Sequence, residues 1–483
     1  MSELDRLVNS CLLPGFAGRA LPEWTVRALG EGLAGVCLYG ANLPPEGGAA
    51  DAVAGISASV RAAAADALVA LDEEGGDVTR LEYRVGSSYP GNLALGIVDD
   101  EELTTAVATA IGADLRRAGV TVDLAPSVDV NSDPRNPVIG VRSFGADPGL
   151  VARHGAATVR GLQAAGAAAT AKHFPGHGAT TVDSHLGLPV VDVDEATFRR
   201  RDLPPFAAAV EAGVALVMTS HVVFPAVDDR PATLSRRLLV DVLRGELGFD
   251  GVVVTDALDM AGVRAAHGIP LAAALSLAAG ADLLLLGAED GEEHCAAIRR
   301  AVAEHVRDGR LPEARLHEAA GRVAALRERL TAVPAAPEGD RDVGLVAARR
   351  ALVVRSVAPL EAPAVVVELR ADANMAVGAA RWSLADPLAR RGLLAERVTA
   401  DAGTAVEEVL ARAEGRPLVV AVRDAYRRPE QAAWLRRLTA LRPDAVTVAV
   451  GMPDDLALVP GPALATHGAA RVCTEAAAEA LTA

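Results

Sequence analysis

Chemistry-bearing residues concentrate in one short segment, Lys172-His173-Phe174-Pro175-Gly176-His177-Gly178, which runs on into Thr180-Thr181-Val182-Asp183-Ser184-His185. It holds three of the ten histidines and the single lysine among 47 basic residues. Arginine replaces lysine easily on a solvated surface, but not where a compact ammonium is needed. In an extended loop residues i and i+2 point to the same side. Asp183 and His185 then form a dyad in which the carboxylate fixes the imidazole tautomer and raises its basicity. Pro175, Gly176 and Gly178 suit a sharply bent loop that carries the dyad. Two other readings stand beside this one: a surface loop with solvated histidines, and a metal site with His173, His177 and His185 as ligands and Asp183 behind them.

Three further segments carry charge at the ends of apolar runs. Gly251-Val252-Val253-Val254-Thr255-Asp256 ends in a carboxylate suited to be a nucleophile or to stabilise a cationic centre; the plainer use of Asp256 is as a helix N-cap. Leu71-Asp72-Glu73-Glu74-Gly75-Gly76-Asp77-Val78-Thr79-Arg80-Leu81 places Asp72 and Arg80 where a carboxylate can accept paired hydrogen bonds from sugar hydroxyls, or forms a charged turn. Arg142-Ser143-Phe144-Gly145 is a substrate clamp or an ordinary ion pair.

These residues need a scaffold that gathers strand ends. Eight short apolar runs qualify: Cys11–Phe16, Gly35–Leu38, Ala67–Asp72, Thr121–Leu124, Ala168–His173, Ala215–Ser220, Gly251–Asp256 and Ala281–Leu286. Helical patterns lie between them, for example Glu102–Ala118 and Pro148–Ala165. Near-continuous apolar strands alternating with helices imply a covered parallel sheet. Eight units over residues 1–330 predict a (β/α)8 TIM-like barrel, whose active site lies at the C-terminal rim of the strands. A doubly wound open sheet is the alternative, but LLPGFAG is not the glycine-rich phosphate turn it would carry. The stretch 331–344, TAVPAAPEGDRDVG, reads as a linker. Beyond it, residues 345–483 read as a smaller α/β three-layer sandwich, with runs at Ala364–Leu369, Leu418–Val422 and Val446–Val450.

Composition narrows the function classes. With 51% hydrophobic and 23% charged residues the chain is an ordinary globular one. A net charge of −16 without a basic block argues against nucleic acid and anionic membrane as partners. The N-terminal segment lacks a basic n-region and Pro14-Gly15 breaks its apolar run, so a signal peptide is not expected and the expected location is cytoplasmic. Cys11, Cys37, Cys295 and Cys473 are scattered and read as reduced thiols. Metal-dependent barrels commonly present ligands at strands one and eight; here those strands end LLPGF and run ADLLLLG, so no metal is expected.

In order and spacing, LDEEGGDVTRL, RSFG, KHFPGHG with its downstream DSH, and GFDGVVVTDALDM resemble family-3 glycoside hydrolases, in particular their β-N-acetylglucosaminidase branch. The resemblance spans Leu71 to Gly262. It implies Asp256 as covalent nucleophile, His185 as acid/base, and Asp183 as its orienting partner. Asp72, Arg80, Arg142, Lys172 and His173 would line the subsite of the terminal sugar, so that the partner is a carbohydrate and no cofactor is required. Other branches carry Trp after the nucleophile and take a carboxylate acid/base from the second domain. Here Ala257 follows and His185 is present, which favours the N-acetylglucosaminidase branch. Phosphorolysis at the same site, and a non-catalytic sugar-binding protein, are the remaining alternatives.

Overall fold

The computed structural model describes residues 1–182, 187–332, 339–370 and 382–482. Eight short strands form the first unit: β1 Leu12–Leu13, β2 Gly35–Cys37, β3 Leu68–Leu71, β4 Val122–Asp123, β5 Thr170–Phe174, β6 Leu216–Thr219, β7 Val252–Val254 and β8 Leu284–Leu285. Seven lie inside the apolar runs expected from the sequence, and β5 passes the end of its run, Ala168–His173, by one residue, Phe174. Parallel pairing joins β2 to β3, β3 to β4, β5 to β6, β6 to β7, and β1 to β8. Parallel bridges Val122↔Ala168 and Val254↔Leu283 connect β4 to β5 and β7 to β8. The remaining seam is made by Ala34 N donating to Asn9 O and Cys37 N to Pro14 O. The sheet therefore closes on itself, and the expected barrel is present.

Alternation along each strand divides two cores. Leu13, Leu68, Ala70, Leu216, Met218, Val252 and Val254 fill the interior, while Leu12, Val69, Leu71, Val217 and Val253 face the surrounding helices. The interior is plugged from one end by Val323, Leu326 and Leu330 of the helix Glu313–Ala332. Leu330 lies beside Leu68 and Thr121, at the starts of β3 and β4, so the plug occupies the N-terminal mouth. The opposite rim is left for loops.

The second unit is a six-stranded sheet: β9 Val353–Arg355, β10 Ala364–Leu369, β11 Leu394–Ala400, β12 Leu418–Val422, β13 Val446–Ala449 and β14 Ala463–Ala465. Their order is β9-β14-β13-β12-β10-β11, all parallel except β9 against β14. Val365, Val367 and Val420 build a core on one face, and Val366, Val419 and Val448 build one on the other, which makes the expected three layers. Within the stretch read as a linker, Thr331 and Ala332 close the helix Glu313–Ala332, and Asp342 opens the helix Asp342–Ala351. That second helix joins the units: Ala347 belongs to the barrel's outer core, while Ala348 packs with Cys473 and Ala476.

Leu326 is buried in the plug, and Leu326→Ala should lower stability by about 2–4 kcal/mol through lost contacts and a residual cavity. A urea midpoint indistinguishable from wild type would contradict this packing.

Candidate active site

At the C-terminal rim lies a cavity of about 480 Å³. Asp72, Arg80, Arg142, Lys172, His173 and Asp256, all expected at the site, line it together. Asp183 and His185 lie outside the described residues. His177, Tyr39 and Asp259 also reach the cavity.

Lys172 projects from the middle of β5 and is only 1% exposed. Its Nζ donates to Asp72 Oδ1 at 2.7 Å and stands 2.7 Å from Glu74 Oε1. Arg142, at the end of the short turn Gly140–Arg142, grips Glu74 with two hydrogen bonds, Nε to Oε2 at 2.9 Å and Nη2 to Oε1 at 2.6 Å. Arg80 Nη2 is 3.9 Å from Asp72 Oδ2. Burial pushes the Asp72 carboxyl up, but Lys172 and Arg80 more than offset it, so it lies below its ordinary value. Glu74 is likewise held far below the carboxylate range against burial by Arg142 and Lys172. The Lys172 ammonium, despite burial, is raised by Asp72 and Glu74. Asp72 and Glu74 are thus held as carboxylates, and Lys172 as an ammonium, at neutral pH.

Glu74 was legible only as part of a motif. Its neighbour Glu73 accepts from the backbone N–H groups of Arg80 and Leu81, both at 2.8 Å, and so closes the loop that presents Arg80. Gly76 has φ +61°, and a Cβ there would meet the Gly91 backbone at 2.5 Å, so the turn requires glycine.

A second buried carboxylate, Asp129, organises the histidine segment and was not singled out by sequence. It accepts from His173 Nδ1 at 2.7 Å, from the His177 N–H at 2.6 Å and from Ser127 Oγ at 3.0 Å. His173 therefore presents its other ring edge to the cavity, and the ring orientation is fixed from behind. His177 Nδ1 pairs with Thr180 Oγ1 at 2.7 Å. Burial, with His173 nearby, pushes the His177 imidazole down to about 4, so it is neutral at neutral pH. Gly178 runs against Val130 so closely that a Cβ would meet the Val130 carbonyl oxygen at 1.9 Å.

Asp256 follows β7 with only Thr255 between them. Its Oδ1 accepts from the Ala257 N–H at 2.8 Å. It does not serve as the N-cap of the next helix, Ala261–His267, whose N-cap is Met260. His221, from the segment after β6, is buried with its ring between Thr233 Oγ1 at 2.9 Å and the Ala257 carbonyl at 3.0 Å. A carbonyl can only accept, which assigns the proton on Nε2 and makes His221 a brace for the Asp256-Ala257 backbone. Asp259 accepts from the Gly287 N–H at 2.8 Å and ties the β7 loop to the β8 loop.

What the arrangement can do follows from these positions. Fixed cations and a carboxylate on one wall can bind neutral hydroxyl-rich ligands by paired hydrogen bonds. The Asp256 carboxylate on the same cavity can attack, or stabilise, an electron-poor carbon.

Two consequences for stability can be measured. Glu74→Gln should cost about 3–5 kcal/mol, because it removes a charge that two buried cations share; a variant as stable as wild type in urea would refute the ion-pair account. Burial raises the Glu73 carboxyl from its ordinary 4.5 to about 7. The protonated form is thus favoured in the folded state, and its contribution is complete below about pH 4.5 and lost as pH climbs through about 7. Stability should fall across that window by on the order of 3 kcal/mol, and Glu73→Gln should flatten the decline; an equally steep profile in the variant would exclude Glu73 as its source.

The model of the glycosyl hydrolase family 3 N-terminal domain matches residues 26–326. β-Hexosaminidase A of Pseudoalteromonas piscicida is 45% identical over 211 residues, which are 40% of this chain and 35% of that protein, so the match spans about a third of that relative. The β-hexosaminidase of Stenotrophomonas maltophilia (strain R551-3) is 38% identical over 287 residues, covering 57% of this chain and 82% of the relative. Among solved structures, a glycoside hydrolase family 3 β-N-acetylglucosaminidase from Paenibacillus sp. str. FPU-7 superposes with a TM-score of 0.90 at 33% identity, over 100% of this chain and 97% of that one. Because that family model covers more than half of its length, the chain belongs to glycosyl hydrolase family 3.

Proposed function

We propose that this protein is a retaining, exo-acting β-N-acetylglucosaminidase that removes terminal β-linked N-acetylglucosamine from cell-wall (muropeptide) or chitin-type fragments, acting in the cytoplasm. The observation that carries the reading is the sharing of one cavity by Asp256 and the Asp72–Lys172–Arg80 cluster. Support for the sugar comes from the relatives, which are named β-hexosaminidases, and from the neighbour solved as a β-N-acetylglucosaminidase.

In this reading Asp72 accepts hydrogen bonds from hydroxyls at the non-reducing end of the sugar, and Arg80, Arg142, Lys172 and His173 line its subsite. Arg142 acts mainly through Glu74, which it holds against Lys172. Asp256 attacks the anomeric carbon while protonated His185, oriented by Asp183, gives its proton to the leaving oxygen. A glycosyl-Asp256 ester forms, and the neutral imidazole then takes a proton from the incoming water as the ester bond breaks. Two inversions retain configuration, as in two-carboxylate enzymes, with imidazole in place of one carboxylate. An unperturbed imidazole titrates at about 6.5, near operating pH, which suits it to both half-reactions.

Wild type should hydrolyse an aryl β-N-acetylglucosaminide and release the β-anomer first, as followed by proton NMR. Asp256→Ala should lose more than about a thousandfold in kcat/KM. Inactivity of the wild type on this substrate, release of the α-anomer, or undiminished activity in Asp256→Ala would each overturn the proposal. Sugar 1-phosphate appearing when phosphate is added would replace hydrolysis by phosphorolysis.

A further inference from the structure

We infer that the C-terminal α/β unit holds the catalytic loops of the barrel in register, through Arg427 acting on Asn136 and Arg423 acting on Asp77, so that these arginines are positioning residues for the reaction proposed above. The two grips fall on different loops. Both come from the segment that follows β12, at the carboxyl ends of the second sheet's strands, which face the barrel rim.

The first grip centres on Asn136, which is fully buried. Its Oδ1 accepts from the Val138 and Ile139 N–H groups at 2.9 and 2.8 Å, shaping the approach to Arg142. Its Nδ2 donates to the His177 carbonyl at 2.8 Å and to Thr180 Oγ1 at 3.3 Å, fixing the start of the segment that runs on to Asp183 and His185. All its side-chain capacity is thus spent on joining two site loops. The Asn136 carbonyl in turn accepts from Arg427 Nη1, and the neighbouring Pro134 carbonyl accepts from Tyr426 Oη. Arg427 is aimed by Asp424, 2.6 Å from Nη2. Asp424 also accepts from the Met452 N–H at 3.0 Å, while the Met452 side chain packs on Leu93 and Val141 of the barrel. Burial pushes the Asp424 carboxyl up, but Arg427 and Arg423 hold it below its ordinary value.

The second grip is on the loop between Asp72 and Arg80. Asp77 is buried; its Oδ1 accepts from the Ala469 N–H at 2.7 Å and its Oδ2 pairs with Arg423 Nη2 at 2.5 Å. Both partners belong to the second unit, and among the described residues none of that unit lines the cavity itself. The unit therefore acts on chemistry through backbone placement. A misplacement of an ångström or less in a proton donor is enough to slow a reaction strongly.

The two grips predict different kinetic signatures. Arg427 acts on the segment leading to the proton donor, so its loss should matter where the leaving group must be protonated. Arg427→Ala should lower kcat/KM about tenfold on a β-linked N-acetylglucosamine disaccharide, and less than about twofold on the 2,4-dinitrophenyl glycoside, whose leaving group departs without a proton. Arg427→Lys, which keeps one donor for the Asn136 carbonyl, should recover most of the loss. Arg423→Ala should raise KM for both glycosides alike. Equal losses on the two glycosides in Arg427→Ala would mean general damage and overturn the inference, as would no loss on either.

Hydrogen exchange gives a readout independent of activity: the Val138 and Ile139 amides should exchange about tenfold faster in Arg427→Ala and be protected again in Arg427→Lys. Unchanged exchange would overturn the grip on Asn136. If wild type cleaves neither glycoside, the proposed function fails while exchange at these two amides still decides the inference.

Discussion

One buried ammonium sets the terms for the rest of the site. Lys172, almost without solvent contact, sits 2.7 Å from each of two carboxylates, Asp72 and Glu74. Desolvating three charges is costly, and their attraction offsets that cost only when geometry is close and the remaining hydrogen-bonding capacity is met. Arg142 meets it for Glu74 with a two-pronged contact, and Arg80 completes the surroundings of Asp72. An arginine in place of Lys172 would bring a planar fork where a point charge must sit between two oxygens. This explains why one lysine survives in a chain whose other 46 basic residues are arginine.

The cluster also dictates how the loops must run. Asp72 and Glu74 follow β3, Lys172 stands on β5, and Arg142 comes from the long excursion after β4. Strands this short cannot aim such groups alone; the aiming falls to buried polar groups behind them. Glu73 closes the β3 loop on the Arg80 and Leu81 amides. Asp129 does the same for His173 and His177, and His221 braces the backbone beside Asp256. Each of these is a polar group whose burial would be destabilising if its partner were lost, so each couples loop geometry to folding free energy.

Much of this was legible in the sequence, and what was not has a physical reason. The eight barrel strands showed as apolar runs because both faces of a closed parallel sheet are covered. Asp72, Lys172 and Asp256 showed because they interrupt those runs at their carboxyl ends. Glu74, Asp129 and Asn136 did not, since a supporting polar group carries no local signature: its value comes from a partner 68 positions away for Glu74, 44 and 48 for Asp129, and 41 for Asn136. In the second unit, β11 escaped because it is an edge strand in which buried and exposed residues alternate, and β9 and β14 because they are only three residues long. The proline- and glycine-rich composition around 331–344 masked the last residues of one helix and the first of the next.

Fixing charges before a ligand arrives changes when the energetic cost falls. Lys172, Asp72 and Glu74 lose their hydration as the chain folds, so a sugar entering the cavity meets dipoles and charges that need little reorganisation, the condition under which electrostatic stabilisation of a transition state is largest. The opposing stability must come from elsewhere. It is supplied by apolar packing: the plugged barrel interior, the outer helix layer, and the two cores on either side of the second sheet. The site and the cores therefore occupy opposite sides of one balance. Apolar burial carries the fold, and part of what it contributes is held as buried, paired charge at the place where chemistry is proposed.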